Sequence, residues 1–409
     1  MSNPWIQKIS QNWKAGFTVA LISIPLSISL AIASGAPPTT GLITAVWAGL
    51  IAAIFGGSNY NVVGPAGALT GILAAYALLY GADTLAMVAL VAGVLILLSW
   101  IFKLERFLVF VPGSTIHGFT LSVAIIIALN QLNAALGLIG LEKHEQFLLN
   151  IWETLQHLGS TSLPALITFS VGLLFLFASL KLTPKIPGAI TIAPIGILLG
   201  YIVTNITDSF SLATVGTTYP NLSTSLFNFP HITFNQDILV TGAAVAFVAI
   251  LETMLSAKIA DGMTKTTYNE RKEMLGLGLA NLASGAAGGL PATGVLVRTA
   301  LNVRTGATHK IASGINAVLV GIFSIILFHW FSYLPMAIIA AILVFAAIRM
   351  VGAEHFVRYF KYDKVGFALA MLVTAVSIYK DPTMGLLVGI GASLLVFMEK
   401  LSRGQCELI

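Results

Sequence analysis

Long apolar stretches recur along the whole chain of 409 residues, and they constrain its fold more than any other feature. A helix needs about 20 mostly apolar residues to cross a bilayer, and the mean hydropathy here is +0.92. Only 9% of the residues are charged, against about 25% in a soluble domain. Polar groups are too few to coat such a chain in water. We therefore predict an all-α polytopic membrane protein, which excludes a soluble enzyme and a nucleic-acid-binding protein.

Fourteen stretches are candidate membrane spans, of which the third and tenth are short and rich in glycine and proline. They are residues 15–34, 41–55, 64–80, 84–102, 114–136, 162–180, 186–204, 238–260, 274–290, 294–303, 311–331, 335–350, 365–378 and 383–398. Residues 205–236 contain many Thr, Ser, Asn and Pro residues, and we expect an extracytoplasmic loop there. Residues 1–14 and 401–409 are expected to be a cytoplasmic N-terminal segment and a cytoplasmic tail.

The positions of the basic residues test this count, because lysine and arginine concentrate in cytoplasmic loops. With fourteen spans and an inside N-terminus, only Lys143 and Lys380 of the 21 basic residues fall outside, and Arg298 falls in the tenth span. The net charge of +5 therefore reflects basic residues in the predicted cytoplasmic segments. The bias predicts a multi-pass protein of the cell inner (plasma) membrane with both termini cytoplasmic. The basic run 349–364 is expected to be a cytoplasmic loop.

Glycine and proline also recur at matching places in residues 15–204 and 237–400. Pro65 opens the third span and Pro291 precedes the tenth, each just before a helical run. Seven spans per half is an odd number, so the second half must be inverted relative to the first. Paired Gly/Pro-interrupted segments indicate the midplane binding site of a secondary transporter. Chance is the alternative, since both residues are common in membrane helices.

Helices that begin at these two breaks would leave several N–H groups without intrahelical partners. Such ends attract anions, and broken backbone survives within a bilayer only where it lines a cavity or is buried in protein. Small residues at the breaks would let an anion approach the amides; these are Ala66, Gly67, Ala68 and Gly294. The alternative is a pair of proline kinks that only shape helix packing.

Glu252 is the only acidic residue that these spans place deep in the membrane, and Arg298 is the only basic one. Intramembrane charges are costly and usually functional. Glu252 is therefore a candidate for coupling proton movement to anion movement, with Arg298 supplying positive charge to the anion site or steadying Glu252. The alternative is a permanent buried ion pair between these two side chains.

Several motifs together resemble the SulP sulfate permeases, also called solute carrier family 26, over essentially the whole chain. They are AGFTVALISIP at 15–25, ASGAPPTTGL at 33–42, FGGS at 55–58, VGPA at 63–66, NLASG at 281–285, PATG at 291–294 and RTALN at 298–302. The resemblance implies a seven-plus-seven inverted repeat. Helices one to four and eight to eleven would form a mobile core domain, and the others a gate domain. It also implies elevator-type movement and a homodimer.

The resemblance also implies site residues. Leu26 and Leu30 would line the anion site from the first helix, Ala66 from the third, and Val297 and Arg298 from the tenth. Glu252 matches the family's coupling carboxylate, with Ser256 one turn later. The family's usual STAS domain is missing from this sequence, which we interpret as a short member or a truncated chain.

Val295, Leu296 and Val297 stand where family members often have hydroxyl residues, which weakens a sulfate assignment. A sodium site would need several oxygen ligands, so we favour a proton, or simple exchange, as the coupling mode. The prediction is a secondary active transporter of small inorganic anions of the sulfate or bicarbonate class, and not an enzyme. The alternatives are a Na⁺-coupled bicarbonate symporter, an anion channel and a nucleobase carrier. No cofactor or metal site is expected.

Overall fold

A computed structural model describes residues 4–104, 106, 112–138, 140–142, 144, 146–182, 188–206, 212–220, 225–230, 236–380 and 382–402. Helices dominate it. They are α1 (Pro4–Ala33), α2 (Pro38–Phe55), α3 (Gly67–Tyr80), α4 (Leu85–Ile101), α5 (Gly113–Asn130), α6 (Leu132–Leu136), α7 (Phe147–Gln156), α8 (Leu163–Leu182), α9 (Gly188–Ile206), α10 (Val215–Thr218), α11 (Gln236–Thr264), α12 (Glu270–Ala286), α13 (Leu296–Arg304), α14 (Ile311–Phe331), α15 (Met336–Met350), α16 (Ala353–Tyr362), α17 (Lys364–Tyr379) and α18 (Pro382–Ser402).

Nine helical stretches in the described part of the chain are long and apolar enough to cross a membrane, as a polytopic protein requires. They are Trp5–Ala33, Pro38–Phe55, Ala82–Ile101, Gly113–Leu136, Leu163–Leu182, Gly188–Asn205, Asp237–Thr264, Ile311–Phe331 and Met336–Tyr362. Shorter apolar helices cover Gly67–Tyr80, Lys364–Tyr379 and Met384–Val396. The third and tenth predicted spans correspond to the helices α3 and α13. Both helices are short because the chain just before each of them is extended and not helical.

Three local features differ from the sequence expectations. The first helix begins at Pro4, so most of the predicted polar N-terminal segment is helical. The fifth candidate is divided, since α5 ends at Asn130 and α6 follows it. The basic run after Met350 contains the helix α16. Residues 351–352 separate α16 from the apolar α15 within the stretch Met336–Tyr362, and α16 itself carries charged residues beside apolar ones, as an amphipathic helix does.

The helices pack in two groups. In the first group α1, α2, α4, α11, α12 and α14 contact one another, and α13 packs on α11 and α1. In the second group α5 contacts α15, α17 and α18, while α8 packs against α15 and α9. Contacts of α3 with α5 and of α1 with α15 join the groups. The start of α3 therefore lies where the two groups meet.

A two-stranded antiparallel sheet lies within this helical protein. Strand β1 (Val63–Gly64) pairs with β2 (Thr293–Gly294), with Val63 opposite Gly294 and Gly64 opposite Thr293. Both strands are buried. Each satisfies backbone groups of the other where the chain is not helical, which a buried segment requires. The sheet joins the two Gly/Pro breaks of the sequence, one from each half of the chain.

Candidate functional site

The strand pair holds the starts of α3 and α13 beside each other. The residues preceding these helices, Ala66 and Val295, have extended backbone, and no side chain caps either helix. The β2 side is fixed by further bonds, because Val295 N–H donates to the Val62 carbonyl at 2.9 Å and Gly294 N–H to Thr253 Oγ1 at 2.8 Å. Two uncapped N-termini concentrate partial positive charge and N–H donors at one place.

A cavity of about 70 Å³ opens at these helix starts, where the two helix groups meet. It has room for several water-sized molecules. The residues that line it are Gly67, Ala68, Ile116, Phe119, Thr120, Val123, Leu251, Glu252, Val295, Leu296, Val297, Met350 and Leu386. The lining is mostly apolar, with few polar side chains and one carboxylate. This combination is typical of small-ligand sites.

Glu252 lies in α11 and brings its carboxylate to the cavity. Its Oε2 accepts a hydrogen bond of 2.7 Å from Thr293 Oγ1, so the carboxylate is attached to strand β2. Among the residues that the structure describes, no basic nitrogen lies within 4.0 Å of it. Glu252 is therefore the one ionisable side chain among the lining residues, and it has no cationic partner within that distance.

Arg298 follows the start of α13 but does not line the cavity. Its side chain is only 1% exposed, Nη2 donates to Ser27 Oγ at 3.1 Å, and Nε has no hydrogen-bond partner. Its Nη1 lies so close to Gly64 that a Cβ there would approach it to 2.6 Å. The buried ion pair considered between Glu252 and Arg298 is thus absent. The guanidinium lies behind the strand pair, between β1 and α1.

The structure brings most of the predicted site residues together. Gly67, Ala68, Val295, Leu296, Val297 and Glu252 line the cavity. Leu26 and Leu30 are buried in α1, and Leu30 lies near Gly67. Ser256 points away from the cavity, since its hydroxyl donates to Asn61 Oδ1 at 2.8 Å. Ala66 and Gly294 contribute to the strand–helix junctions.

Sequence reasoning missed a second buried carboxylate, that of Glu273 in α12, which is 3% exposed. Its Oε2 accepts hydrogen bonds from Gly57 N–H at 2.7 Å and Ser58 N–H at 2.8 Å. Its Oε1 accepts from Asn61 Nδ2 at 2.7 Å. The predicted ninth span began one residue later, so Glu273 was placed outside the membrane. Its position in the first turn of a helix was visible in the sequence, but its partners were not.

Asn61 connects Glu273 to both helix breaks. Its Oδ1 accepts from Ser256 Oγ at 2.8 Å and from Thr299 Oγ1 at 2.9 Å, and Thr299 Oγ1 accepts from Val62 N–H at 3.0 Å. A continuous buried network, which we call the Asn61 network, therefore joins α12, the segment before β1, α11 and α13. A fully bonded network of this kind fixes geometry in a low-dielectric interior.

A metal centre finds no support in the described residues, where no group of three or more His, Cys, Asp or Glu side chains could hold a metal ion. The site instead offers backbone N–H groups, one carboxylate and a buried guanidinium nearby. Its chemistry suits binding and release of a small anion rather than bond making.

Comparisons with known proteins place the chain in a family. The sulfate permease family model matches residues 10–373. The Bacillus subtilis (strain 168) protein named "Putative sulfate transporter YvdB" is 33% identical over 402 residues, which are 97% of this chain and 75% of that protein.

Two solved structures show the same fold. The transmembrane domain of a cyanobacterium bicarbonate transporter, BicA, has a TM-score of 0.79 at 21% identity, over 95% of this chain and 98% of that one. The structure of SLC26A9 has a TM-score of 0.86 at 15% identity, over 97% of this chain and 66% of that one. Together with the family match and the nine apolar helices, they show that this chain is a multi-pass membrane protein of the sulfate permease family.

Proposed function

We propose that this protein is a secondary active transporter of small inorganic anions, of the sulfate or bicarbonate class. The observation that carries this proposal is the pair of uncapped helix N-termini, α3 and α13, that meet at one cavity. Their N–H groups and dipoles favour an anion. The similarity to a protein named as a sulfate transporter supports the same class.

The cavity wall favours a singly charged anion such as bicarbonate over the sulfate dianion. Val295, Leu296 and Val297 supply no side-chain donor at the start of α13, and Thr120 is the only hydroxyl side chain among the lining residues. An anion with more charge loses more hydration energy and needs more donors to replace it. Bicarbonate also carries its own O–H donor, which the carbonyl oxygen of protonated Glu252 can accept.

Coupling is assigned to Glu252, by a proton or by exchange of one anion for another. A negative carboxylate in the cavity repels an entering anion, and protonation removes that repulsion. Sodium is disfavoured because a hard cation needs several oxygen ligands, and Val295, Leu296 and Val297 line the cavity with Glu252 without supplying a side-chain oxygen.

Transport then needs one helix group to move against the other. The start of α13 and Glu252 belong to the first group, and the β1–β2 pair holds the start of α3 beside them. Ile116, Phe119 and Met350 face the same cavity from the second group. We assign the first group to the mobile core and the second to the gate of a seven-plus-seven elevator. The gate is assigned as the homodimer contact, and both termini as cytoplasmic in the inner membrane.

The test is uptake into proteoliposomes of wild type and Glu252→Gln at fixed internal pH, with external pH and Na⁺ varied independently. The tracer panel is sulfate, bicarbonate, chloride, a dicarboxylate and uracil. We expect saturable anion uptake that follows the pH gradient or a counter-anion in wild type and becomes independent of pH in Glu252→Gln.

Three outcomes would replace the proposal. Uptake that requires Na⁺ and ignores pH would indicate a sodium symporter. Currents without a fixed coupling ratio would indicate a channel. Saturable uracil uptake without anion uptake would indicate a nucleobase carrier.

A further inference from the structure

The helix α16 has an uncovered surface that the proposed transport does not use. It has ten residues, none of them buried, and it connects α15 to α17. Val357 and Phe360 are 54% and 66% exposed. Residues three apart share one side of a helix, so these two side chains form one apolar side.

One other side of α16 holds the helix to the protein. The ring of His355 stacks on that of His117 in α5, with centroids 4.0 Å apart and an interplanar angle of 19°. Tyr359, one turn later on the same side, contacts His117 as well, at 5.8 Å between centroids. The helix is therefore attached to α5 through His355 and Tyr359. On its apolar side the Phe360 ring packs edge-on against Phe367 of α17, with centroids 5.4 Å apart, and most of that side stays exposed.

Basic residues lie beside that apolar side. Arg358 and Lys361 are three residues apart, each next in the chain to one of the apolar pair, and both are exposed. Lys364 follows at the start of α17. A short helix with an apolar side and adjacent cationic side chains is suited to the interface between acyl chains and anionic headgroups.

We propose that α16 lies on the bilayer surface and binds anionic phospholipids, with Val357 and Phe360 among the acyl chains and Arg358 and Lys361 at the phosphates. Met350, which lines the cavity, ends α15, and only two residues separate it from the start of α16. His117 lies between the cavity residues Ile116 and Phe119 in sequence. A lipid bound at α16 therefore contacts the segment that connects directly to the cavity wall.

The experiment places an environment-sensitive fluorophore at Val357→Cys in a Cys406→Ser background. The protein is reconstituted in phosphatidylcholine vesicles with a minor fraction of phosphatidylglycerol, and either lipid carries bromine as a quencher. We expect stronger quenching by brominated phosphatidylglycerol than its share of the lipid predicts. The double variant Arg358→Gln/Lys361→Gln removes two interfacial charges and should reduce this enrichment roughly 30-fold. If the wild-type enrichment is smaller than that, the variant should show no enrichment over the bulk lipid ratio.

The control is Lys14→Gln/Lys272→Gln, which removes two exposed charges elsewhere and should leave the enrichment unchanged. Absence of quenching by both lipids would overturn the proposal, because the apolar side would then be covered by protein. Quenching by the two brominated lipids in proportion to their shares would contradict a binding site for the anionic headgroup. So would phosphatidylglycerol enrichment that persists in Arg358→Gln/Lys361→Gln. Loss of enrichment on adding inorganic phosphate, but not sodium chloride of equal ionic strength, would identify a free-phosphate site instead. The readout is independent of transport, so it stands or falls separately from the proposed function.

Discussion

The two chain breaks that meet at the strand pair lead into helices with different first turns. Aligned at the helix starts, the third residue is Leu69 in α3 and Arg298 in α13, and both are buried. The fourth residue is threonine in both helices. Among the described residues, the Thr70 hydroxyl bonds only to the Gly67 carbonyl of its own helix, at 2.8 Å, whereas Thr299 belongs to the Asn61 network.

The starts of α3 and α13 therefore differ in what they offer to a bound anion. The α3 start offers backbone N–H groups among small and apolar side chains. The α13 start offers the same groups and also carries a buried cation and a network that fixes its position. We infer that the start of α3 contributes only backbone donors to anion binding. The start of α13 also contributes the positive electrostatic field of its buried arginine and a position fixed by the Asn61 network. Four predictions test this division, beginning with the largest expected effect.

Arg298→Ala should lower the uptake efficiency, kcat/KM, by roughly 30-fold or more. At an effective dielectric constant of 20, a unit charge still contributes about 2 kcal/mol to anion binding when the two charges are as much as roughly 8 Å apart. The matched variant is Leu69→Ala, which costs about 2–5 kcal/mol of stability but should leave KM unchanged in the protein that folds. Radiotracer uptake corrected for folded protein measures both. A wild-type KM and rate in Arg298→Ala would remove Arg298 from anion binding.

Either single variant, Asn61→Asp or Glu273→Gln, should break the hydrogen bond between these two side chains, and the double variant should restore it. Asn61→Asp places two carboxylates together and should cost about 3 kcal/mol or more. Glu273→Gln sets amide donor against amide donor and should cost about 1–3 kcal/mol. In the double variant, the new amide on α12 donates to the new carboxylate before β1, and Gly57 and Ser58 keep an acceptor. Most of the lost stability should therefore return.

Thermal unfolding in detergent gives the stability part of this cycle, and KM for the anion gives the positioning part. If the two single effects simply add in the double variant, the two side chains are not coupled. If stability changes while KM stays constant in every variant, the network supports the fold and does not position the helix starts.

Thr299→Val should cost about 1–3 kcal/mol, because the buried Val62 N–H loses its acceptor and Asn61 loses a donor. Thr70→Val keeps the side-chain shape and removes only the bond to the Gly67 carbonyl of its own helix, so it should cost about 0.5 kcal/mol, the low end for a single hydrogen bond. Midpoints of thermal unfolding, measured in parallel, decide this. Equal losses in both variants would contradict the asymmetry of the two breaks.

Capping the helix starts should have the smallest effect. Serine at Ala66 or Val295 can accept a hydrogen bond from the free N–H groups and stabilise the helix by about 1 kcal/mol. Because it competes with the anion for those groups, KM should rise roughly fivefold, with Ala75→Ser later in α3 as the control. A KM that does not change in either capped variant would show that the anion does not use these N–H groups.

Periodic and strongly biased features were predictable. The apolar stretches gave the approximate positions of α2, α4, α11 and α14, and the Gly/Pro breaks gave the starts of α3 and α13. Glu252 was singled out because an isolated intramembrane carboxylate is costly, and it lies in the cavity wall. The membrane helix and the carboxylate are each visible within one short segment, so a single sequence suffices.

Features that depend on contacts between distant segments were not predictable in the same way. Arg298 was expected at the anion or at Glu252, but its guanidinium turns behind β1 towards Ser27. Glu273 was excluded by an offset of one residue at the predicted span. The helix α16 was interpreted only as a charged loop, because charge placement alone does not reveal a stacked histidine pair.

By itself, the sequence determined that the chain enters a membrane, where most of its long apolar helices run and which two breaks begin short helices, since these depend on local hydrophobicity and backbone chemistry. The tertiary structure decided that the breaks pair as strands, that Glu252 faces the cavity while Arg298 lies behind it, and that Asn61 joins four segments. Hydrogen bonds and burial depend on side chains more than 200 residues apart in the chain, such as Asn61 and Glu273. Only their packing in three dimensions fixes which groups meet.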